Sequence, residues 1–456
     1  MSRFTAERAF YAIVAGQVVY AIGANMTLFG LGLWVLDQTG NVTAYATLLF
    51  MVLLPFGVAS PLVGSLVDRW NRRQIMMLAT AGASAPTVIV ALLYFTDNLI
   101  FWHLYIALAV HSVVFAFSSV AMDASTPMLV KRERLDNAVG VAAMLKSVDF
   151  VLSPLLAVSV YLSLGLGAVF VVEFVASGVA VTTLALSFVP QPARVLEKGG
   201  ASLWSEFRFG IRYIGERRPF VYLIFFFSAS MFLLPGICYA LATPLALSFS
   251  NEAGAAALIT AFGAGSFLSG LLLTARGGPK RRMNGILAAM ALAGAGALVV
   301  GLRENLILAT GGLFITGVGF AFAFWLNRVI WQTKASPDVL GRVSSIRIMI
   351  AIVGQSVGLL IAGPLAQNVF GPLMEAGGGL AGSVGAVIGV GADRGMALLY
   401  IISAVTLIGM VVVSFILRPI RYLEDALPDQ VAQPEPDTDV EAQHEPVTGL
   451  GPRFHQ

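Results

Sequence analysis

Two oppositely charged residues stand inside one long apolar stretch of the sequence. Lys146 and Asp149 are three positions apart within residues 138–163, so a helix places them on one face. A charge at the centre of a membrane costs about 2.5–3.5 kcal/mol on insertion scales. We therefore predict that Asp149 binds and releases a proton, while Lys146 tunes its proton affinity or contacts an anionic substrate. The alternative is a neutral structural pair within the helix.

A second acid and three amides are also candidates. Glu173 lies one to two turns inside the far end of the next apolar stretch and is the rival proton site; otherwise it is an interfacial acid that reaches water. Gln17, Asn25 and Asn327 are uncharged polar residues within apolar stretches. Such groups either line a cavity or bridge helices. Both roles are open for these three, which are the candidates for a substrate cavity.

Three further polar residues are assigned to lipid contact or packing. Arg328 and Arg347 lie near the ends of apolar stretches, where long side chains extend to lipid headgroups. His111 shares a helical stripe with Phe115, Ser118 and Met122 and is interpreted as a packing histidine rather than a proton relay.

The composition indicates that membrane-spanning helices position these residues. Of 456 residues, 57% are hydrophobic and 12% are charged, whereas soluble domains carry about 25% charged residues. A helix needs about 20 apolar residues to cross the hydrocarbon core. Twelve such stretches are predicted: Phe10–Leu36, Thr43–Val67, Ile75–Phe95, Leu99–Met122, Ala138–Ser163, Ala168–Val189, Val221–Leu247, Ala253–Ala275, Ile286–Leu302, Leu306–Trp331, Val343–Val369 and Met396–Leu417.

The distribution of lysine and arginine predicts the orientation. Alternate loops hold most of them, in clusters at residues 69–73, 131–134, 208–218 and 280–282, while the intervening loops hold only Arg303 and Arg394. Because cationic loops stay in the cytoplasm, both termini are predicted to be cytoplasmic, in a cell inner membrane. The bases flank membrane spans, so we expect membrane lipid as a partner and no nucleic acid.

The predicted organisation is two related halves. Residues 1–190 and 220–421 each hold six spans and are joined by a cytoplasmic linker with an amphipathic helix, 191–219. The glycine-rich residues 370–395 are predicted to form a periplasmic loop, as a short re-entrant or interfacial hairpin. The acidic residues 422–456 are predicted to be a disordered cytoplasmic tail.

An internal repeat supports the two halves. At an offset near 205 residues, one set of small residues matches another, and each set precedes a basic loop. The matching sets are Gly57, Ser60 and Gly64, and Gly263, Ser266 and Gly270.

The first of these basic loops carries a family signature. Residues 64–73 read GSLVDRWNRR, which resembles the signature loop of the major facilitator superfamily, Gly-x-Leu-x-Asp-Arg-x-Gly-Arg-Arg. The loop departs from it at Asn71, where glycine is usual; asparagine tolerates the same left-handed backbone. The resemblance implies an all-α membrane fold of twelve transmembrane helices in two pseudo-symmetric halves.

The resemblance also implies a conformational latch at that loop. In the family, an acid at the position of Asp68 faces the N-terminal end of the eleventh span and holds the halves together when the outside is open. The latch residues are then Gly64, Asp68, Arg69, Arg72, Arg73 and Asp123, with Arg72 pairing with Asp123. The alternative is that these are solvated charges that only set the topology.

Over most of its length the chain is similar to the macrolide-efflux and enterobactin-exporter branch of drug:proton antiporters. The resemblance rests on Gly16-Gln17, Asn25-Met26-Thr27, Asp136-Asn137-Ala138 and residues 337–343, PDVLGRV. Asn25 stands where an aspartate is common, and residues 153–157 lack the glycines of the antiporter motif.

These observations predict a secondary-active exporter of an amphiphilic small molecule, such as a drug, siderophore or peptide-like metabolite, that works as a monomer and exchanges protons. The sequence has no nucleotide-binding loop and no catalytic or metal-binding motif, so neither an enzyme nor a cofactor is expected. The alternatives are a lysophospholipid flippase or solute importer of the same fold, and a transport-dead sensor or scaffold.

Overall fold

The computed structural model describes residues 6–67, 70–130, 135–187, 189, 203–276, 278–335, 337–425 and 427. Asp68 and Arg69, residues 191–202 of the linker and the tail from residue 428 lie outside the described residues. The side chain of Lys146 also lies outside them.

All regular elements in the described ranges are helical. The first half contains α1 (Ala6–Thr39), α2 (Val42–Val67), α3 (Arg72–Phe95), α4 (Phe101–Leu129), α5 (Leu135–Leu164) and α6 (Leu166–Leu186), followed by α7 (Leu203–Gly215). The second half contains α8 (Arg218–Met231), α9 (Tyr239–Phe249), α10 (Glu252–Arg276), α11 (Arg282–Leu302), α12 (Leu306–Lys334), α13 (Pro337–Pro364), α14 (Gly371–Met374), α15 (Gly385–Ile388), α16 (Arg394–Ile416) and α17 (Arg418–Arg421).

The described helices agree with the twelve predicted spans. Eleven described helices are long and apolar enough to cross a membrane, and α5 supplies the twelfth with the apolar segment Val148–Leu164. The seventh span joins α8 to α9 through a π-helical segment, Phe232–Cys238, and the eleventh joins α13 to α14 through another, Leu365–Phe370. Pro235 lies inside the first of these segments, and Pro364 lies just before the second. Proline lacks a backbone donor and loosens the helix, which favours a π-helical segment at each place.

The two six-helix groups meet along two pairs of helices, α2 with α13 and α5 with α10. We call the end of the bundle with the glycine-rich segment 371–394 the loop side, and the opposite end the termini side. At the loop side, Thr43 Oγ1 donates to Gln367 Oε1 at 3.1 Å, and Tyr45 Oη donates to Thr243 Oγ1 at 3.1 Å. These bonds join the halves directly.

Repeat-related glycines mark where this contact ends. A Cβ on Gly57 would lie 2.3 Å from Ile352 of α13, and a Cβ on Gly263 would lie 2.9 Å from the Phe150 backbone of α5. One helical stretch further toward the termini side, Gly64 and Gly270 have no neighbour within 4 Å. Among the described residues the halves therefore touch at Gly57 and Gly263 and leave open space at Gly64 and Gly270, nearer the termini side.

The glycine-rich segment folds back on itself at the loop side. The Gly391 amide donates to the Met374 carbonyl at 2.8 Å, and Met374 is buried with Ile388. Arg394 is 2% exposed and donates from Nη2 to the Gly301 carbonyl at 3.1 Å. Its Nη1 lies 3.6 Å from Glu304, which ties the segment to the end of α11.

Candidate functional site

Asp149 is buried where the two halves meet. It is 6% exposed and lies on α5 beside the α5–α10 contact. Asn25 Nδ2 of α1 donates to one carboxylate oxygen at 2.7 Å, and Ser153 Oγ donates to the other at 2.5 Å. Ser153 reaches the acid because it follows one helical turn later on the same face. The carboxylate is therefore buried with a donor on each oxygen.

A small cavity of about 40 Å³ adjoins this carboxylate. Its wall includes Asn25, Asp149 and Ser153 from the first half, and Tyr239 and Ile259 from the second. A cavity must hold about 10–15 Å³ to admit one water molecule, so this space admits water but excludes a drug-sized molecule. The site suits a proton delivered through water.

The predicted pairing of Lys146 with Asp149 stays a prediction, because the Lys146 side chain is outside the described residues. The described donors to Asp149 are both uncharged. Of the two roles left open for Asn25, the structure shows both, since Asn25 lines this small cavity and joins α1 to α5.

Glu173, the rival acid, lies inside the first half rather than between the halves. It is 1% exposed on α6, and Thr87 Oγ1 of α3 donates to its Oε1 at 2.9 Å. Among the described residues, Oε2 has no hydrogen-bond partner. A Cβ on Gly23 of α1 would lie 3.0 Å from the Glu173 Cα. The acid is therefore enclosed by three helices of one half, without an interface to the other.

Gln17 also lies within the first half. Its Nε2 donates to Thr80 Oγ1 of α3 at 3.3 Å, and Thr80 shares a hydrogen bond of 3.0 Å with Ser118 of α4. Gln17 thus joins α1 to α3. Of the two roles that the sequence left open, cavity lining and helix bridging, this bond corresponds to helix bridging. His111 is held by packing, with Nδ1 2.8 Å from the Ala83 carbonyl and its ring stacked on Phe115.

The described residues of the latch region contact neighbouring helix ends. Arg72 Nη1 donates to the Ala124 carbonyl at 2.7 Å, and Arg73 donates to the carbonyls of Leu184 and Ala185. Asp123, beside Ala124, makes no ion pair within the described residues. The expected Arg72–Asp123 pair is therefore absent from this state, and Asp123 faces a second cavity instead.

This second cavity, which we call the arginine cavity, holds about 330 Å³ on the termini side, between α8, α12 and α13 of the second half and Asp123 of the first. Ligand sites usually measure about 300–1,000 Å³, so a small molecule fits. Its charged and polar lining comprises Asp123, Ser228, Asn327, Arg328, Gln332, Ser344 and Arg347, and its aromatic lining comprises Phe227, Phe324 and Trp331. Asn327 is buried and accepts a hydrogen bond from Trp331 Nε1 at 3.1 Å.

The arginine cavity contains residues that the sequence analysis assigned elsewhere. The sequence analysis assigned Arg328 and Arg347 to lipid headgroups, whereas the structure places both in the lining of this cavity. Their positions near helix ends fit either direction, since only the rotation of α12 and α13 decides which way they point. Tyr239, opposite Asp149, was also missed because it belongs to the other half and no local spacing links the two.

No group of three or more histidine, cysteine or acidic residues that could hold a metal ion occurs in the described part of the chain.

Comparison with known proteins adds family evidence. The model of the Major Facilitator Superfamily matches residues 13–359. The chain is 26% identical over 374 residues to macrolide efflux protein A of Streptococcus pyogenes, covering 79% of this chain and 90% of that protein. It is 27% identical over 325 residues to macrolide efflux protein A of Enterococcus faecalis, covering 67% of this chain and 96% of that protein.

Solved structures show the same fold. A bacterial homologue of the human lysosomal transporter Spinster, in an inward-facing and unoccupied conformation, superposes with a TM-score of 0.66 at 16% identity, covering 94% of this chain and 98% of that one. The nucleoside transporter NupG superposes with a TM-score of 0.64 at 14% identity, covering 90% of this chain and all of that one. The resemblance stated from residues 64–73 and the macrolide-efflux motifs is confirmed.

Proposed function

The chain belongs to the Major Facilitator Superfamily, and from this premise we propose that it is a secondary-active exporter of an amphiphilic small molecule, driven by protons moving inward. Membership makes it a multi-pass membrane transporter rather than an enzyme. The observation that carries the proposal is the position of Asp149, a buried carboxylate with water-sized space beside it at the contact between two halves.

Alternating access explains why that position matters. When the halves rock about their contact, a group at the contact changes its neighbours, while a group enclosed in one half does not. Asp149 has Tyr239 and Ile259 of the other half across its cavity, so its solvent access changes with the state of the transporter. A carboxyl that is reached from alternate sides carries a proton in each cycle.

The substrate and its direction are supported by the second cavity and by the relatives. The arginine cavity accommodates a small molecule between aromatic and polar walls. The relatives named macrolide efflux protein A support outward transport of an amphiphile. Substrate and proton then occupy separate spaces of different size, as is usual for secondary transporters in which the two sites are close but distinct.

We place both termini in the cytoplasm, which makes the state with halves separated at the termini side inward-facing. The clusters Lys280–Arg282 and Arg208–Arg218 lie at that side, and cationic loops favour the cytoplasm. Reporter fusions after Arg282 are expected to be cytoplasmic, and fusions after Asp97 periplasmic. Reversed signals would overturn this orientation.

The latch at Asp68 belongs to the opposite, outward-facing state. Among the described residues, a Cβ on Gly64 would have no neighbour within 4 Å, which leaves room for the two halves to approach one another there. Asp68→Asn is expected to reduce transport and to increase cytoplasmic accessibility to a cysteine-reactive reagent, with normal membrane insertion. Unchanged transport and unchanged accessibility would mean that Asp68 only sets the membrane topology and does not act as a latch.

Transport in proteoliposomes tests the function. A substrate is first identified by a susceptibility and metabolite-export screen of a deletion strain. Purified protein is then reconstituted, and substrate accumulation against its gradient is measured with and without an imposed pH gradient. We expect uphill accumulation only with the gradient, and none with Asp149→Asn. Accumulation that ignores the pH gradient would exclude proton antiport. Absence of any transport, with the phenotype intact in Asp149→Asn cells, would favour a sensor or scaffold.

A further inference from the structure

The arginine cavity has an uneven charge distribution. It holds Arg328 and Arg347 on α12 and α13, and one carboxylate, Asp123, on α4. Neither arginine makes an ion pair or a hydrogen bond within the described part of the chain, and the Nε of Arg347 is buried without a partner. Two positive groups and one negative group leave this cavity with a formal charge of +1 (2 − 1).

Both guanidinium groups line one cavity, and like charges in one cavity repel one another. A protein that faces two cations into one cavity without pairing them loses free energy, and a bound anion restores it. Guanidinium groups suit this task because their planar fork of donors matches the oxygen pair of a carboxylate or phosphate.

Aromatic rings surround the same cations. Arg347 lies 5.6 Å from the Trp331 ring, whose face also stacks on Phe220 at 4.4 Å, so the ring is fixed in place. Phe227 and Phe324 complete an apolar wall of the cavity. An occupant that satisfies both surfaces has an acidic group on one end and an aromatic or aliphatic body on the other.

We propose that the arginine cavity selects an anionic amphiphile, whose carboxylate or phosphate is bound by Arg347 and Arg328 and whose apolar body packs on Trp331 and Phe324. The role of this selectivity in the cell rests on the proposed transport function, but binding can be measured without a proton gradient. Asp123 faces the bound molecule from the other half. Its negative charge repels an acidic group on the substrate, so the acidic group binds toward α12 and α13 and the apolar body lies nearer Asp123.

Binding of matched probes tests the selectivity. The purified protein is placed in phosphatidylcholine nanodiscs and titrated with dansylglycine, which carries a carboxylate, and with dansylglycinamide, its neutral counterpart. Hydrogen bonds to charged groups contribute about 1.5–3 kcal/mol, which corresponds to roughly 10–100-fold in affinity. We expect dansylglycine to bind tighter by that factor. Equal binding, tighter binding of the amide or no binding of either probe would overturn the proposal.

Variants locate the effect. Arg347→Gln is expected to remove the preference for dansylglycine while leaving the affinity for dansylglycinamide unchanged, and Arg347→Lys to retain part of the preference. Arg212→Gln serves as the control, because Arg212 is exposed on α7 and pairs with Glu216 at 2.8 Å. If Arg347→Gln fails to fold, Arg328→Gln and Arg347→Lys carry the test. A preference that survives in both Arg347→Gln and Arg328→Gln would overturn the assignment to these residues.

Two further arms separate the sources of the anion and the two proposals. In nanodiscs that contain phosphatidylglycerol, weaker apparent binding of dansylglycine identifies a lipid phosphate as an occupant of the same site, and equal binding identifies a soluble acid. If dansylglycine binds tighter than its amide and the native protein shows no proton-driven transport, proton antiport fails while the anion site stands. If transport is proton-driven but dansylglycine has no advantage, the anion site fails alone.

Discussion

The first half of the molecule contains two buried acids that differ in what surrounds them. Asp149 accepts hydrogen bonds on both oxygens and shares a cavity with residues of the second half. Glu173 accepts one bond from Thr87 and is enclosed by helices of its own half. Burial alone therefore does not identify a coupling site. The site must also lie where the two halves move against one another.

The same distinction applies to the amides of α1. Asn25 donates to Asp149 at the contact between halves, whereas Gln17, two turns earlier, donates to Thr80 within one half. Both residues are polar groups in one apolar helix. Their different partners follow from two faces of α1, one that packs on α5 and another from which Gln17 reaches Thr80 of α3.

Neutralising each acid in turn produces the largest expected contrast. Asp149→Asn is expected to reduce proton-driven accumulation in proteoliposomes to the level of empty vesicles, because the cycle loses its exchangeable proton. Glu173→Gln is expected to retain proton-driven accumulation, since glutamine preserves an acceptor for Thr87 and the residue does not change sides.

Facilitated exchange of substrate without a gradient serves as the control for both variants, since it reports a folded transporter independent of coupling. The reverse pattern, with uphill transport retained in Asp149→Asn and lost in Glu173→Gln, would move the proton to α6. Retention in both variants would remove these acids from the coupling mechanism.

The sequence was sufficient for the architecture and for the candidates, because both depend on local properties. Span length and composition predicted the helices, and the offset between Gly57 and Gly263 predicted two related halves; the structure adds that both glycines lie where the halves touch. The cost of a buried charge was sufficient to select Asp149 and Glu173. None of these inferences requires knowing how a helix is rotated.

The sequence was not sufficient where rotation and contacts between distant segments decide the outcome. Arg347 and Arg328 were assigned to lipid headgroups, whereas both line a cavity. A residue near the end of an apolar helix faces lipid in one rotation of the helix and a cavity in another, and the sequence does not give the rotation. Likewise, the 124 positions between Asn25 and Asp149 carry no signal of their hydrogen bond. Only the packing of α1 on α5 brings the two together.

Removing the two hydrogen-bond donors on α1, Asn25 and Gln17, is expected to change the transport rate by an intermediate amount. The two variants compare the face of α1 toward α5 with the face toward Thr80 of α3. Asn25→Leu removes the donor to Asp149, and the loss of a bond to a charged group corresponds to roughly tenfold or more in an equilibrium. We expect the initial rate of proton-driven transport per folded molecule to fall by about tenfold on that basis. Gln17→Leu is the matched control on the same helix.

For Gln17→Leu we expect a lower melting temperature in detergent and an unchanged transport rate per folded molecule, because its bond to Thr80 holds α1 to α3 without reaching the cavity. Rates are normalised to monodisperse protein from size-exclusion chromatography. Equal losses of rate in the two variants would mean that α1 acts as one polar surface, and the distinction between its faces would be wrong.

The smallest expected effect concerns the packing that encloses Glu173. A Cβ on Gly23 would lie 2.9 Å from the Ala176 Cβ and 3.0 Å from the Glu173 Cα, and neither atom can move without shifting α6. Overpacking of this kind costs about 1–3 kcal/mol, so Gly23→Ala is expected to lower the melting temperature. Gly178→Ala is the control, because Gly178 lies on the same helix as Glu173 and has no neighbour within 4 Å.

An alanine at Gly178 meets open space and gains helix propensity of up to about 1 kcal/mol, so its melting temperature is expected to stay the same or rise. Because Gly23→Ala disturbs α1 against α6 and leaves the α5–α10 contact intact, proton-driven transport per folded molecule should be retained. If Gly23→Ala instead abolished uphill transport while remaining folded, the surroundings of Glu173 would take part in coupling. The enclosure of that acid within one half would then no longer distinguish it from Asp149.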